Sequence, residues 1–305
     1  MKRYPSCILS TCCVPWDEQG RFAEAIFRRG VRATLAAGTK YLYVFGTAGE
    51  GYAVTDRQFD EIVAAFADEM RQGKAEPMVG VIHLSLGTII ERIERCRDAG
   101  IRHFQISLPS WGALNEREVF EFFRRVCGRF ADCQFLHYNL PRTKRLVTPA
   151  EYGRLAAEHP NLVATKYSND SFHVTAQLLE LAPDLQHFLN ETSYLYGSLL
   201  GECGLLASFV TSWRRLHKLF DAGRRRDAAT MMELQREINV FNQLFEFLGD
   251  SVHIDGAFDK MFARINDPEF PLRLLPPYAY VSDEQFLQFE AAFRQRLPQW
   301  LPEGR

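Results

Sequence analysis

A chain of 305 residues, 47% hydrophobic and 24% charged, carries enough apolar material for one large core or two modest ones. Lysine plus arginine (36) nearly cancels aspartate plus glutamate (38), so no field of one sign points to nucleic acid or an anionic membrane as partner. No apolar stretch approaches the ~18 to 20 residues that span a bilayer, and a helical membrane protein is thereby excluded.

In chain order, Lys2, Arg3 and the apolar run Cys7–Val14 faintly mimic a signal peptide. The run lacks an A-x-A cleavage site and continues straight into Pro15-Trp16-Asp17, which reads better as a first buried strand and places the protein in the cytoplasm. Seven further apolar runs follow: Tyr41–Phe45, Met78–Ile82, His103–Leu108, Gln134–His137, Leu162–Thr165, His187–Leu189 and Leu205–Phe209. Helix-length amphipathic segments separate them, the rhythm of βα units. Gly38 and Gly100 stand where a helix ends with positive φ before the next strand. Thr55 with Gln58, Asn115 with Glu118 and Ser282 with Gln285 have capping-box spacing, and Thr148-Pro149 adds proline at a first helical position. Buried strands alternating with helices imply a parallel sheet, and eight of them favour a closed (β/α)₈ TIM barrel over an open sheet. Past about residue 210 the strand signals stop. Segments 212–223, 227–248, 255–264 and 283–296 read as helices, so we expect a barrel over 1–224 and a C-terminal helical extension over 225–305. The run Arg224-Arg225-Arg226 is basic but reads as a solvated helix end.

In a parallel barrel the C-terminal strand ends and the loops after them build the site. That rule selects Gly46-Thr47-Ala48-Gly49-Glu50-Gly51, His137-Tyr138-Asn139-Leu140-Pro141 and Thr165-Lys166-Tyr167-Ser168. The glycine loop is either an anion cradle or a tight turn that needs glycine; it matches neither G-x-G-x-x-G nor a Walker motif. Glu50 beside a bound anion would repel it, so this side chain is expected to point away and organise the loop. Lys166 closes the apolar run Leu162–Thr165, where desolvation would lower its pKa and supply the neutral amine that attacks a carbonyl. Locally, it could equally mark where the strand surfaces. Tyr138 is likewise a proton-transfer candidate or a packed aromatic. The seven cysteines contain no CxxC, the histidines (His83, His103 and His187 among them) no HExxH, and the chain no G-x-S-x-G, so metal and serine-hydrolase chemistries lack support.

Taken together, the loop Gly46-Thr47-Ala48-Gly49-Glu50, the segment Tyr138-Asn139-Leu140-Pro141, and Lys166 placed 28 residues after Tyr138 resemble the dihydrodipicolinate synthase and N-acetylneuraminate lyase family. The resemblance runs from about Cys7 to the C-terminal helices. It implies that Lys166 forms an imine with pyruvate or another small 2-oxo acid, with no cofactor beyond that covalent link. It also implies that Tyr138 relays protons, that Gly46, Thr47 and Ala48 hold the substrate carboxylate, that Arg142 grips a second carboxylate, and that the chain assembles as a homotetramer, a dimer of dimers. Four positions depart from the pattern. Ala48 replaces a threonine, and Trp111 stands where a neighbouring subunit's relay tyrosine is expected. Tyr167 replaces an acidic residue, and Asn190 occupies a position that is often glycine. Trp111, which cannot relay a proton, is expected to reshape the pocket near the second substrate. These departures favour a pyruvate-forming lyase, an aldolase acting on a 2-oxo-3-deoxy or 4-hydroxy-2-oxo acid. An authentic dihydrodipicolinate synthase, a 2-oxo-3-deoxy sugar acid dehydratase and a catalytically silent 2-oxo-acid-binding barrel are the alternatives.

Overall fold

The computed structural model describes residues 3–167 and 171–302. Eight parallel strands close into a barrel in sequence order: β1 Ile8–Cys12, β2 Leu42–Val44, β3 Met78–Gly80, β4 His103–Ile106, β5 Gln134–Asn139, β6 Leu162–Tyr167, β7 Gln186–Leu189 and β8 Gly204–Ala207. β8 returns to β1 through the register Ile8↔Leu205, so no edge is left open. The helices around it are α1 Glu24–Ala36, α2 Asp56–Gln72, α3 Leu86–Asp98, α4 Glu116–Val126, α5 Pro149–Glu158, α6 Phe172–Leu181, α7 Glu191–Leu200 and α8 Trp213–Arg225. Beyond them lie α9 Ala228–Gln243, α10 Asp255–Asn266 and α11 Asp283–Arg296.

The helix starts follow from local chemistry. Thr55, Asn115, Thr148 and Ser282 each accept the backbone N–H of the residue three positions on, whose Gln or Glu side chain accepts the cap N–H in return. Gly38 and Gly100 follow their helices at φ +101° and +88°, where a Cβ would be strained. The one long helix expected over 227–248 is instead α9 followed by a separate turn of 3₁₀ helix, Glu246–Ser251, with Gly249 at φ 50° inside it. Arg224, Arg225 and Arg226 are exposed at the end of α8, with Arg226 left-handed.

Two strands run further than the sequence suggests. β5 continues past His137 to Asn139, and β6 continues past Thr165 to Tyr167; Ser168 lies outside the described residues. The ladder is made by backbone groups, so a polar side chain at the strand end does not stop it. The extension puts Tyr138 and Lys166 directly opposite each other, one step beyond the pair His137↔Thr165. Alternation then decides which side chains face inward. Leu136 and Ala164 fill the barrel, Tyr138 and Lys166 form the next inward layer, and His137 and Thr165 face the helices. His137 Nδ1 meets the Tyr152 hydroxyl on α5 at 2.6 Å, and Thr165 Oγ1 meets His187 Nδ1 at 2.7 Å.

The C-terminal helices are folded onto the barrel. Ile8, Leu189 and Leu205 share one buried cluster with Phe241, Phe262, Phe289 and Trp300. This packing brings α10 over the C-terminal end of the strands, where it walls the cavity described next.

Candidate active site

A cavity of about 610 Å³ opens at the C-terminal end of the barrel. Its floor is Lys166, Tyr138, Tyr43 and Thr11, and its walls include the 47–48 loop, Arg142, Asn190, Glu191 and the α9–α10 side chains Phe245, Asp255, Phe258 and Asp259. The Lys166 Nζ lies 3.7 Å from the centre of the Tyr138 ring and donates to the Tyr43 hydroxyl at 2.8 Å. Burial lowers the Lys166 pKa to about 8, against the opposing pull of Asp255 and Asp259. Roughly a tenth of the amine is therefore neutral at pH 7, far more than for an ordinary lysine. Burial also pushes the Tyr138 phenol up to about 12 and the Tyr43 phenol well above its ordinary value, so both keep their protons.

The glycine loop is built by close approach. Phe45 sits at φ 67° and Glu50 at φ 55°, conformations that side chains rarely adopt. A Cβ on Gly46 would lie 2.7 Å from the Tyr43 ring, and one on Gly49 2.7 Å from the Phe45 nitrogen. Gly46 thus lets the chain cross directly over Tyr43. The resulting turn aims Thr47 inward, where its hydroxyl lies 3.3 Å from the Tyr138 hydroxyl. Among the described residues the N–H groups of Thr47 and Ala48 donate to no backbone carbonyl and are free for an anion. Glu50 points away from the cavity, as expected. Its fully buried carboxylate accepts from Trp16 Nε1 at 2.8 Å, from Lys260 Nζ at 2.5 Å and from the Leu275 N–H at 2.6 Å. The loop is therefore tied to the C-terminal region by two bonds and to the segment after β1 by a third.

Of the other residues singled out in the sequence, Arg142 reaches the cavity from the 3₁₀ turn Pro141–Thr143. Its guanidinium is already engaged by Asp255, at 3.1 and 2.9 Å to the two carboxylate oxygens, and also donates to the His253 carbonyl. Asn190 lines the cavity, but its Oδ1 is occupied in capping α7 through the Ser193 N–H at 2.9 Å. Trp111 is not brought in. It lies 85% exposed on the loop after β4, tethered by Lys144 through its carbonyl, and it shapes no part of this chain's cavity. Within one chain its indole therefore lies outside the cavity, because its loop turns outward. Tyr167 faces away from Lys166, since adjacent strand residues point to opposite sides.

Sequence reasoning missed Tyr43, Glu191, Asp255 and Asp259. For Tyr43 a signal existed: strand parity places it in the same inward set as Tyr41. Glu191, buried at the start of α7, accepts the N–H groups of Ser208 at 2.5 Å and Phe209 at 2.9 Å and pins the loop after β8. Asp255 and Asp259 lie one turn apart on α10, and no local pattern ties that helix to the barrel mouth.

Comparison with known proteins agrees with this geometry. The dihydrodipicolinate synthetase family profile matches residues 5–293. The 4-hydroxy-tetrahydrodipicolinate synthase of Thermus thermophilus is 26% identical over 198 residues, 64% of this chain and 66% of that protein. The first-ranked curated synthases are matched over 60–66% of their length. An uncharacterized DapA-like lyase of Pyrococcus furiosus is 24% identical over 82% of this chain and 83% of its own. A prophage protein of E. coli K12 in the dihydrodipicolinic acid synthase family, solved with pyruvate, superposes with TM-score 0.81 at 17% identity, covering 96% of this chain and 98% of that one. With a family match spanning nearly its whole length and a barrel of the same fold, the chain belongs to the dihydrodipicolinate synthetase family.

Proposed function

We propose that this protein is a Schiff-base lyase that cleaves a 2-oxo-3-deoxy or 4-hydroxy-2-oxo acid to pyruvate and an aldehyde. The observation that carries the reading is Lys166. It is a buried amine with its pKa lowered to about 8, set against Tyr138 and below the free N–H groups of Thr47 and Ala48. In this reading the substrate carboxylate sits on those N–H groups and the Thr47 hydroxyl. The Lys166 amine attacks C2 and water leaves, giving the imine. A base then takes the proton of the C4 hydroxyl, and the C3–C4 electron pair moves into the imine as the aldehyde departs. The enamine takes a proton at C3, and water hydrolyses the imine to release pyruvate. Tyr138, hydrogen-bonded to Thr47, relays the protons.

Seven unpaired cysteines support a reducing, cytoplasmic setting, and no helix among the described residues is long and apolar enough to cross a membrane. Family membership supports a homotetramer, in which the exposed Trp111 would face a neighbouring subunit. Pyruvate with borohydride tests the chemistry. Reduction should add one pyruvate-derived group to Lys166, with labelling accelerating as pH rises through about 8, because only the neutral amine attacks. Labelling elsewhere, or none, would sink the imine mechanism. An authentic synthase is the second reading. It gains if condensation of pyruvate with aspartate semialdehyde reaches the ordinary enzymic range of about 10⁴ M⁻¹s⁻¹ or above.

A further inference from the structure

The cavity is much larger than a three-carbon oxo acid requires, and its outer half must hold the remainder of the substrate. That half is built by elements far from the nucleophile in sequence. Asp255 and Asp259 stand one turn apart on the same face of α10. Phe245 and Phe258 add a half-buried aromatic wall, their ring centres 5.3 Å apart and edge to face, with Phe262 behind them 5.7 Å from Phe245. Among the described residues the cavity is lined by two cations, Lys166 and Arg142, and by three acids, Glu191, Asp255 and Asp259. Lys166 is consumed in the imine. Arg142 is bound through both terminal nitrogens to the two Asp255 oxygens. Glu191 is spent on two backbone N–H groups, while Asp259 has no hydrogen-bond or ion-pair partner among the described residues.

From this arrangement we infer that the aldehyde half of the substrate is uncharged and carries an apolar body, and that Asp255 enforces this by occupying Arg142. The inference rests on the lyase reading above and goes further, to the substrate class. A second carboxylate would have to displace Asp255 from Arg142. It would then share the guanidinium with the displaced carboxylate, with Asp259 one turn away. Its charge would be matched once and opposed once or twice. A neutral chain meets none of this and covers Phe245 and Phe258. Asp259, which burial and the nearby Asp255 carboxylate hold well above the usual carboxylate range, is left to hydrogen-bond the hydroxyl or carbonyl oxygen at the cleaved bond.

The test compares two aldehydes of equal chain length, butanal and succinic semialdehyde, each condensed with pyruvate by the full-length protein. The wild type is expected to favour butanal by at least tenfold in kcat/KM. Asp255→Asn frees Arg142 and should move that ratio at least tenfold toward succinic semialdehyde. Adding Arg142→Gln to Asp255→Asn should abolish that gain, since the freed guanidinium is the group that would take the second carboxylate. Three results overturn the inference: a wild-type preference for succinic semialdehyde, an Asp255→Asn ratio within twofold of wild type, or an Asp255→Asn gain that survives in the double variant. Should Asp255→Asn fail to fold, the wild-type preference still decides the matter. Borohydride trapping of pyruvate on the wild type separates the two levels. Trapping with the wrong aldehyde preference defeats the inference alone, whereas no trapping defeats the lyase reading and the inference together.

Discussion

At the scale of single residues the site is an exercise in desolvation. Lys166 and Tyr138 are buried side by side, and burial drives their pKa values apart, the amine down to about 8 and the phenol up to about 12. A proton can therefore be held on the phenol while the amine is free to attack. Tyr43 completes the pocket floor by accepting from Lys166 at 2.8 Å. Tyr138→Phe keeps the ring that packs against the ammonium and removes the hydroxyl that meets Thr47. Its kcat for pyruvate release should fall by roughly 10²- to 10⁴-fold, the usual effect of deleting a general acid–base group, with pyruvate trapping by borohydride changed far less. A kcat within a few-fold of wild type would make Tyr138 a packing residue. The pairing of these two side chains was legible before any coordinates, because their spacing and the barrel rule both placed them at neighbouring strand ends. Tyr43 was not singled out, since an inward tyrosine in an apolar strand looks like core.

Among the elements, the glycine loop depends on a distant clamp. Its two left-handed residues, Phe45 and Glu50, cost backbone strain that the surroundings must offset. Glu50 does so by joining the loop to Trp16, Leu275 and Lys260, and both Glu50 and Lys260 are fully buried. Glu50→Gln would leave the Lys260 ammonium in the interior without its counter-charge. Such broken buried pairs typically cost about 3–5 kcal/mol, which denaturant titration should detect as a lowered midpoint. Adding Lys260→Met to Glu50→Gln should recover much of that loss, since it removes the stranded charge. If Glu50→Gln is as stable as the wild type, the clamp is not what holds the loop. The sequence indicated that Glu50 organises the loop, but its partners lie up to 225 residues away and no local pattern names them.

For the whole molecule the open question is whether the C-terminal helices are an appendage or part of the machine. We propose that 1–224 and 225–305 form one cooperative unit. One apolar cluster runs through both, and α10 with the connection before it supplies Phe245, Asp255, Phe258 and Asp259 to the cavity. Removing residues 225–305 would expose the faces of α7 and α8 that this cluster covers, including Leu216 and Leu219. The truncated chain should be insoluble or molten, and calorimetry of the full chain should give a single transition. A soluble, cooperatively folded 1–224 that still traps pyruvate would contradict this.

What the sequence by itself determined is the part governed by short-range rules. Short continuous apolar runs, capping boxes at Thr55 and Asn115, and positive-φ glycines after helices mark out eight βα units. Once the barrel is accepted, strand parity and order place Lys166, Tyr138 and the glycine loop on one rim. The tertiary structure alone decided the electrostatics of the outer pocket. Arg142 was read as a carboxylate grip, yet Asp255, 113 residues later, already holds it, and Trp111 turns outward from this chain's cavity. Neither outcome is local. The charge a substrate meets is the sum over side chains that meet only when α10 packs over the barrel mouth, and that packing is set by the apolar cluster beneath it.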